Sequence, residues 1–186
     1  MTVKEVICEV LYMVGRYDVC EDLKEGAPLY EDEVRLRDAC LRFFNAVVNE
    51  LARGYFPVYF EEKLLSDNGK FHFLDFWFTP LEIKEVTANA KPIKWSVVAN
   101  YLLADAKEIN VCYSYVPDEL TIDSKVLYHN AAVTKNLIEY GMIAEYYLAM
   151  GDAVSYELWE NKYREEIENL LSRSKVRGRI PPRRWI

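Results

Sequence analysis

The stretch EYGMIAEYYLAMGDAVSYELWENKY, residues 139–163, decides how this sequence is read. From just before it, Val133, Leu137, Tyr140, Ala144 and Tyr147 step by four, three, four and three, the spacing that sets one helix face against another helix. Gly151-Asp152 interrupts that period, the glycine ending one helix and the aspartate capping the next. Tyr156, Trp159, Tyr163, Ile167, Leu170 and Leu171 then share one side, while Glu157, Glu160, Lys162, Glu165 and Glu168 mostly take the other. Two long helices joined by so short a break fold back as an antiparallel hairpin. The first of the two is expected to begin after Asp123 or Ser124, either of which caps it. The apolar period of the second stops at Ser172, and Gly178 with Pro181-Pro182 rules out helix through the rest of the chain.

Working back to the start, Thr2 and Glu5 have the spacing of a capping box. Val3, Ile7, Val10 and Val14 follow as one apolar stripe, closed by Gly15. Residues Arg16 to Leu29 carry Asp, Gly and Pro punctuation without a sustained period and read as a loop. A longer helix is expected from about Glu31 to Arg53, with Leu36, Cys40, Phe43, Val47 and Leu51 on one face, Phe44 and Val48 widening it, and Gly54 as its end.

After Gly54 the period becomes alternating. Tyr55 to Leu65 and Lys70 to Phe78 flank Ser66-Asp67-Asn68-Gly69, and Asn-Gly suits the positive φ angles of a tight hairpin turn. Leu81 to Val86, Pro92 to Val98 and Glu108 to Tyr115 are further strands, the last with Ile109, Val111, Tyr113 and Tyr115 on one face and Pro117 as its stop. The expected fold is α+β: an antiparallel bundle of about four helices formed by both ends of the chain, with a small inserted antiparallel sheet or sandwich. The parts are residues 1–54, the N-terminal helices; 55–116, the β insert; 117–172, the helical hairpin; and 173–186, an extended basic tail.

Composition narrows the function classes. A chain of 186 residues fits one domain with an insert and buries enough surface to fold without disulfides or metals. Fourteen tyrosines and a 14% aromatic share favour contact surfaces, because Tyr and Trp combine apolar area with a polar tip. No apolar run approaches the roughly 20 residues of a membrane span. Glu5 stands where a secretory signal wants positive charge, so synthesis and retention in the cytoplasm are expected. Cys8, Cys20, Cys40 and Cys112 are widely spaced, with no C-x-x-C pair, and read as reduced, buried thiols.

No pattern for chemistry stands out. His72 lies between two phenylalanines and His129 near the start of a helix, neither beside an orienting acid or nucleophile; Cys112 with His129 is the single Cys/His combination to check. Glu31-Asp32-Glu33, Glu61-Glu62 and Glu165-Glu166 read as solvated faces, since helical neighbours do not face each other. The seven glycines form no G-x-G and no G-x-x-x-x-G-K, which excludes the known phosphate loops. No catalytic residue, cofactor or metal is expected.

Charge is uneven. Arg173, Lys175, Arg177, Arg179, Arg183 and Arg184 face no acid from residue 173 onward, so the chain's −7 less these six charges leaves −13 on residues 1–172. Such an end seeks an acidic partner, protein or nucleic acid. Arginine suits bidentate contact to carboxylate or phosphate, and Trp185 with Ile186 supplies an apolar anchor that would be a liability in water. Arg177, Arg179, Ile180, Arg183, Arg184, Trp185 and Ile186 are therefore the candidate partner-binding residues.

The run from Asp118-Glu119-Leu120 through His129-Asn130-Ala131 to Tyr146-Tyr147-Leu148-Ala149-Met150-Gly151-Asp152, then Tyr156-Glu157-Leu158-Trp159 and Tyr163, resembles the C-terminal half of the head–tail adaptors of tailed bacteriophages. The order of parts is similar to their larger, tail-tubular-protein-A-like type, also grouped as head completion connectors, with a helix running into Gly54-Tyr55-Phe56-Pro57 and a β insert ending Tyr113-Ser114-Tyr115-Val116-Pro117. The resemblance implies a structural virion protein at the neck: a ring of twelve copies under a twelve-fold portal, with C-terminal tails in portal clefts and β inserts toward the tail tube, nozzle or stopper. DNA would pass through the ring without sequence-specific binding, and no membrane is involved. The rival readings are a stopper or terminator subunit, a cell-wall hydrolase, and a nucleic-acid-binding regulator.

Overall fold

A computed structural model describes residues 2–126, 130 and 132–177. The chain is mixed α+β, with five α-helices and two small antiparallel sheets among the described residues. Its contacts divide it into two compact units, residues 1–48 with 119–186, and residues 49–118.

The first unit contains α1 (Val3–Met13), α2 (Tyr17–Glu25), most of α3 (Glu31–Gly54), α4 (Lys135–Met150) and α5 (Ala153–Arg177). The capping box forms at α1: Thr2 Oγ1 accepts from the Glu5 N–H at 3.2 Å, and the Thr2 N–H donates to Glu5 Oε2 at 2.9 Å. Val6, Cys8 and Leu11 are buried along with Val3, Ile7 and Val10, so more of this helix is covered than a single stripe requires. α1 packs on α2 and α4. Its first turn is tied to the later chain, Val3 N–H donating to Ser124 O and Lys4 N–H to Ile122 O, both at 3.0 Å. The Asn45 amide on α3 holds Leu120 in the same way, donating to its carbonyl at 3.0 Å and accepting from its N–H at 2.9 Å.

Three local expectations change in this unit. Residues 16–29 are not a loop throughout: α2 occupies Tyr17–Glu25, burying Val19, Cys20 and Leu23 and ending at Gly26 with φ +72°. An amphipathic stripe of three residues is too short to show as a period, yet it suffices once α1 covers it. α4 starts later than Asp123 or Ser124, since Thr134 is its cap, accepting from the Leu137 N–H at 3.2 Å, while Ser124 closes a turn with Thr121. α5 runs past Ser172 to Arg177, so the first residues of the expected extended tail are helical. On α3 the buried face is centred on Phe44, with Cys40, Val47 and Val48, while Phe43 is half-buried.

The second unit holds β1 (Val58–Leu65), β2 (Lys70–His72), a short 3-10 turn (Phe73–Asp75), β3 (Pro80–Ala88), β4 (Lys91–Pro92), β5 (Trp95–Val98), β6 (Tyr101–Ala104) and β7 (Glu108–Tyr115). One sheet has the order β1-β7-β3-β4, the other β2-β6-β5. β7 is central, and its Ile109, Val111, Tyr113 and Tyr115 are buried on one face, as alternation demands.

The Asn-Gly hairpin does not form. β1 pairs with β7 and β2 with β6, in different sheets. A two-residue type I′ turn needs positive φ at both positions, but Gly69 has φ +72° whereas Asn68 is not in the left-handed region. Asn68 and Ser66 instead both accept from the Lys70 N–H, at 3.0 and 3.1 Å. The tight two-residue turn is Asn89-Ala90, with φ 49° and 58°, between β3 and β4. Pro92 to Val98 is likewise not one strand but parts of β4 and β5, one in each sheet. Phe73 to Phe78 leaves the extended conformation at the 3-10 turn.

Candidate functional site

Arg177 is the last residue of α5, and its side chain falls outside the described residues, as do Arg179, Ile180, Arg183, Arg184, Trp185, Ile186 and His129. What the structure does place is the hairpin to which that segment is attached. Gly151 ends α4 at φ +74°, and Asp152 caps α5 through its Oδ1, which accepts from the Ser155 N–H at 3.1 Å. The Y-Y-L-x-x-G-D pattern is thus a backbone device, a left-handed glycine followed by a carboxylate cap. The tip it creates exposes Leu148, Met150, Val154 and Leu158, with Val154 81% and Met150 66% accessible.

Beside this hairpin, Met13, Asn136, Glu139, Tyr140, Trp159, Lys162, Glu165, Glu166 and Asn169 line a cavity of about 520 Å³. The Tyr140 and Trp159 rings stand 5.7 Å apart at a tilt, and Lys162 Nζ lies 4.1 Å above the Trp159 ring. Glu139 is 2% exposed, which is costly for a carboxylate. Its Oε1 has no hydrogen-bond partner, and Lys135 Nζ at 3.6 Å is too distant for one. Lys135 instead bonds to Glu9 on α1. Burial, with the neighbouring Glu9, pushes the Glu139 carboxyl up to about 7. The hydrogen bond from Lys135 draws Glu9 below the usual carboxylate range, and the same bond raises Lys135.

These acids were not among the candidate residues of the sequence. The available signal was the Lys135/Glu139 spacing of four together with the position of Glu139 three and four residues before Met142 and Ile143, on a buried face.

In the second unit, Tyr113 donates to Glu62 Oε1 at 2.5 Å and accepts from the Phe78 N–H at 3.2 Å, while the Trp77 N–H donates to Glu62 at 3.0 Å. This network fixes the segment after the 3-10 turn, and it leaves Leu74 86% and Trp77 77% exposed. All four residues of the edge strand β5 are exposed as well. His72 Nδ1 accepts from the Leu74 N–H at 3.0 Å, and its ring meets Tyr101 edge-on at 4.7 Å. Cys8, Cys20 and Cys40 are buried free thiols and Cys112 is half-buried. Among the described residues, no group of three or more His, Cys, Asp or Glu side chains is placed to hold a metal ion, and no helix is long and apolar enough to cross a membrane. No family model matches this chain, and no curated protein matches it either.

Proposed function

We propose that this chain is a structural subunit of a tailed-bacteriophage neck, a head–tail adaptor that assembles as a ring, about twelve copies, beneath the portal. The observation that carries the reading is the α4–Gly151-Asp152–α5 hairpin with its uncovered apolar tip. Large exposed apolar residues grouped in one place favour assembly over an isolated life in water. Leu74 and Trp77 offer a comparable surface on the β insert. In this reading the helices from both ends of the chain make one antiparallel bundle, and the insert contacts the next tail component. Arg177, Arg179, Arg183 and Arg184 pair with acidic portal groups while Ile180, Trp185 and Ile186 fill an apolar cleft. The ring then lines the path of the DNA without catalysis. Ring interfaces are heterologous and repeat until they close, so weak single contacts suffice.

The test is to mix the purified full-length chain with its portal and to follow mass and negative-stain images. Rings on the portal, with little self-association of the chain alone, are the expected outcome. A chain truncated after Val176 that docks as well as the intact one counts against the tail's role, and a chain that never binds portal sinks the reading.

A further inference from the structure

Two of the buried free thiols meet across the α1–α2 hairpin. The connection between the helices turns at Gly15, φ +81°, where the Gly15 N–H donates to Tyr12 O at 3.2 Å and the Arg16 N–H to Leu11 O at 2.8 Å. Cys8 and Cys20 are equidistant along the chain from Val14 in that connection, so each helix carries its thiol to the same level. The Cys8 S–H donates to the Cys20 carbonyl oxygen at 3.8 Å, and the two residues are 1% and 2% exposed. Burial, and then the Cys20 thiol, push the Cys8 thiol up to about 11. Cys40 lies apart on α3, and Cys112 lies in the second unit.

We propose that Cys8 and Cys20 are a latent disulfide, which a peroxide closes into a staple between α1 and α2. α2 has nine residues, its first turn lacks a side-chain cap, and it packs chiefly on α1. So short a helix does not persist away from its support, and its local opening bares both thiols together. One thiol attacks hydrogen peroxide, breaking the O–O bond to give a sulfenic acid and water. The other then attacks that sulfur, forming the S–S bond and releasing a second water that takes up its proton. Two electrons pass from the two sulfurs to the peroxide. The pairing stands on the hairpin alone; its use, fastening α2 once a particle has left a reducing host cell, rests on the adaptor reading.

The full chain is treated with hydrogen peroxide at about pH 8, where thiolate begins to form, then alkylated and digested with trypsin without reduction. Cleavage after Lys4, Arg16 and Lys24 puts the two thiols in separate peptides, residues 5–16 and 17–24. Mass spectrometry should find these two joined as the main cross-linked product, separating on reduction and absent from Cys20→Ser. Hydrogen exchange of the α2 amides should be about tenfold slower in the bridged chain. Free thiols at both positions, under treatment that links the denatured chain, overturn the proposal. Cys8 joined chiefly to Cys40 or Cys112 does so as well, and so does a link that forms only with doubled mass, which assigns it to two copies. A bridged chain that never binds portal keeps the staple and removes the adaptor reading, whereas rings on portal from a chain whose native thiols resist peroxide do the reverse.

Discussion

Gly141 on α4 lies so close to Val47 on α3 that a β-carbon there would stand 2.9 Å from Val47 Cγ1, with the Tyr163 ring of α5 at 3.1 Å. The glycine is where three helices of the first unit meet. Alanine normally favours a helix interior over glycine by up to about 1 kcal/mol, but overpacking costs more. Gly141→Ala should lower stability by roughly 1–3 kcal/mol, read from denaturant unfolding. A gain in stability would show that Val47 yields without strain.

Glu62 and Tyr113 give a second prediction. Tyr113→Phe removes the donor to Glu62 and leaves the Phe78 N–H without its acceptor. A loss of roughly 1–3 kcal/mol follows, and amide exchange at Trp77 and Phe78 should accelerate. Unchanged exchange at both would remove the network from the account of this unit.

The pH response of the first unit follows from Glu139. Its folded-state value, about 7, exceeds the ordinary 4.5, so the folded chain holds that proton more tightly than the unfolded one. The contribution is fully present below about pH 4.5 and is lost as pH rises through 7. Glu139→Gln, which mimics the protonated carboxyl, should flatten the fall in unfolding free energy between about pH 5 and 8. Parallel curves for parent and variant would refute the assignment.

Backbone sign separates two turns. At Gly69, with φ +72°, an added β-carbon would stand 2.3 Å from Ala104 O, so Gly69→Ala should be among the most damaging changes in the β unit. Ala90 sits at φ 58° with a side chain it does not need. Ala90→Gly should therefore recover up to about 1 kcal/mol. Thermal melting of the two variants should move in opposite directions, and a shared direction would contradict this account.

Where a local rule had a single physical cause, the sequence was legible. The Thr2/Glu5 box, the alternation of residues 108–115 and the Gly151-Asp152 break all describe contacts made within a few residues. Strand partnership was not legible, because Asn68-Gly69 carries the composition of a hairpin while the pairing of β2 with β6 is set thirty residues away. The tight turn at Asn89-Ala90 lacks glycine and so leaves little trace in the sequence. α2 was hidden by its brevity, and Glu139 because a buried acid looks in sequence like any solvated one. The proposed partner-binding residues after Arg177 rest on sequence alone.

The pairing of distant segments dictates an order of events during synthesis. α1 carries six buried apolar residues, and although α2 follows it at once, its other partner α4 begins only at Lys135. The four-stranded sheet waits similarly, since β1 has no neighbour until β7 appears. Until those partners are made the nascent chain presents uncovered apolar surface and an unpaired strand edge, the kind of non-local pairing that slows folding and favours chaperone capture.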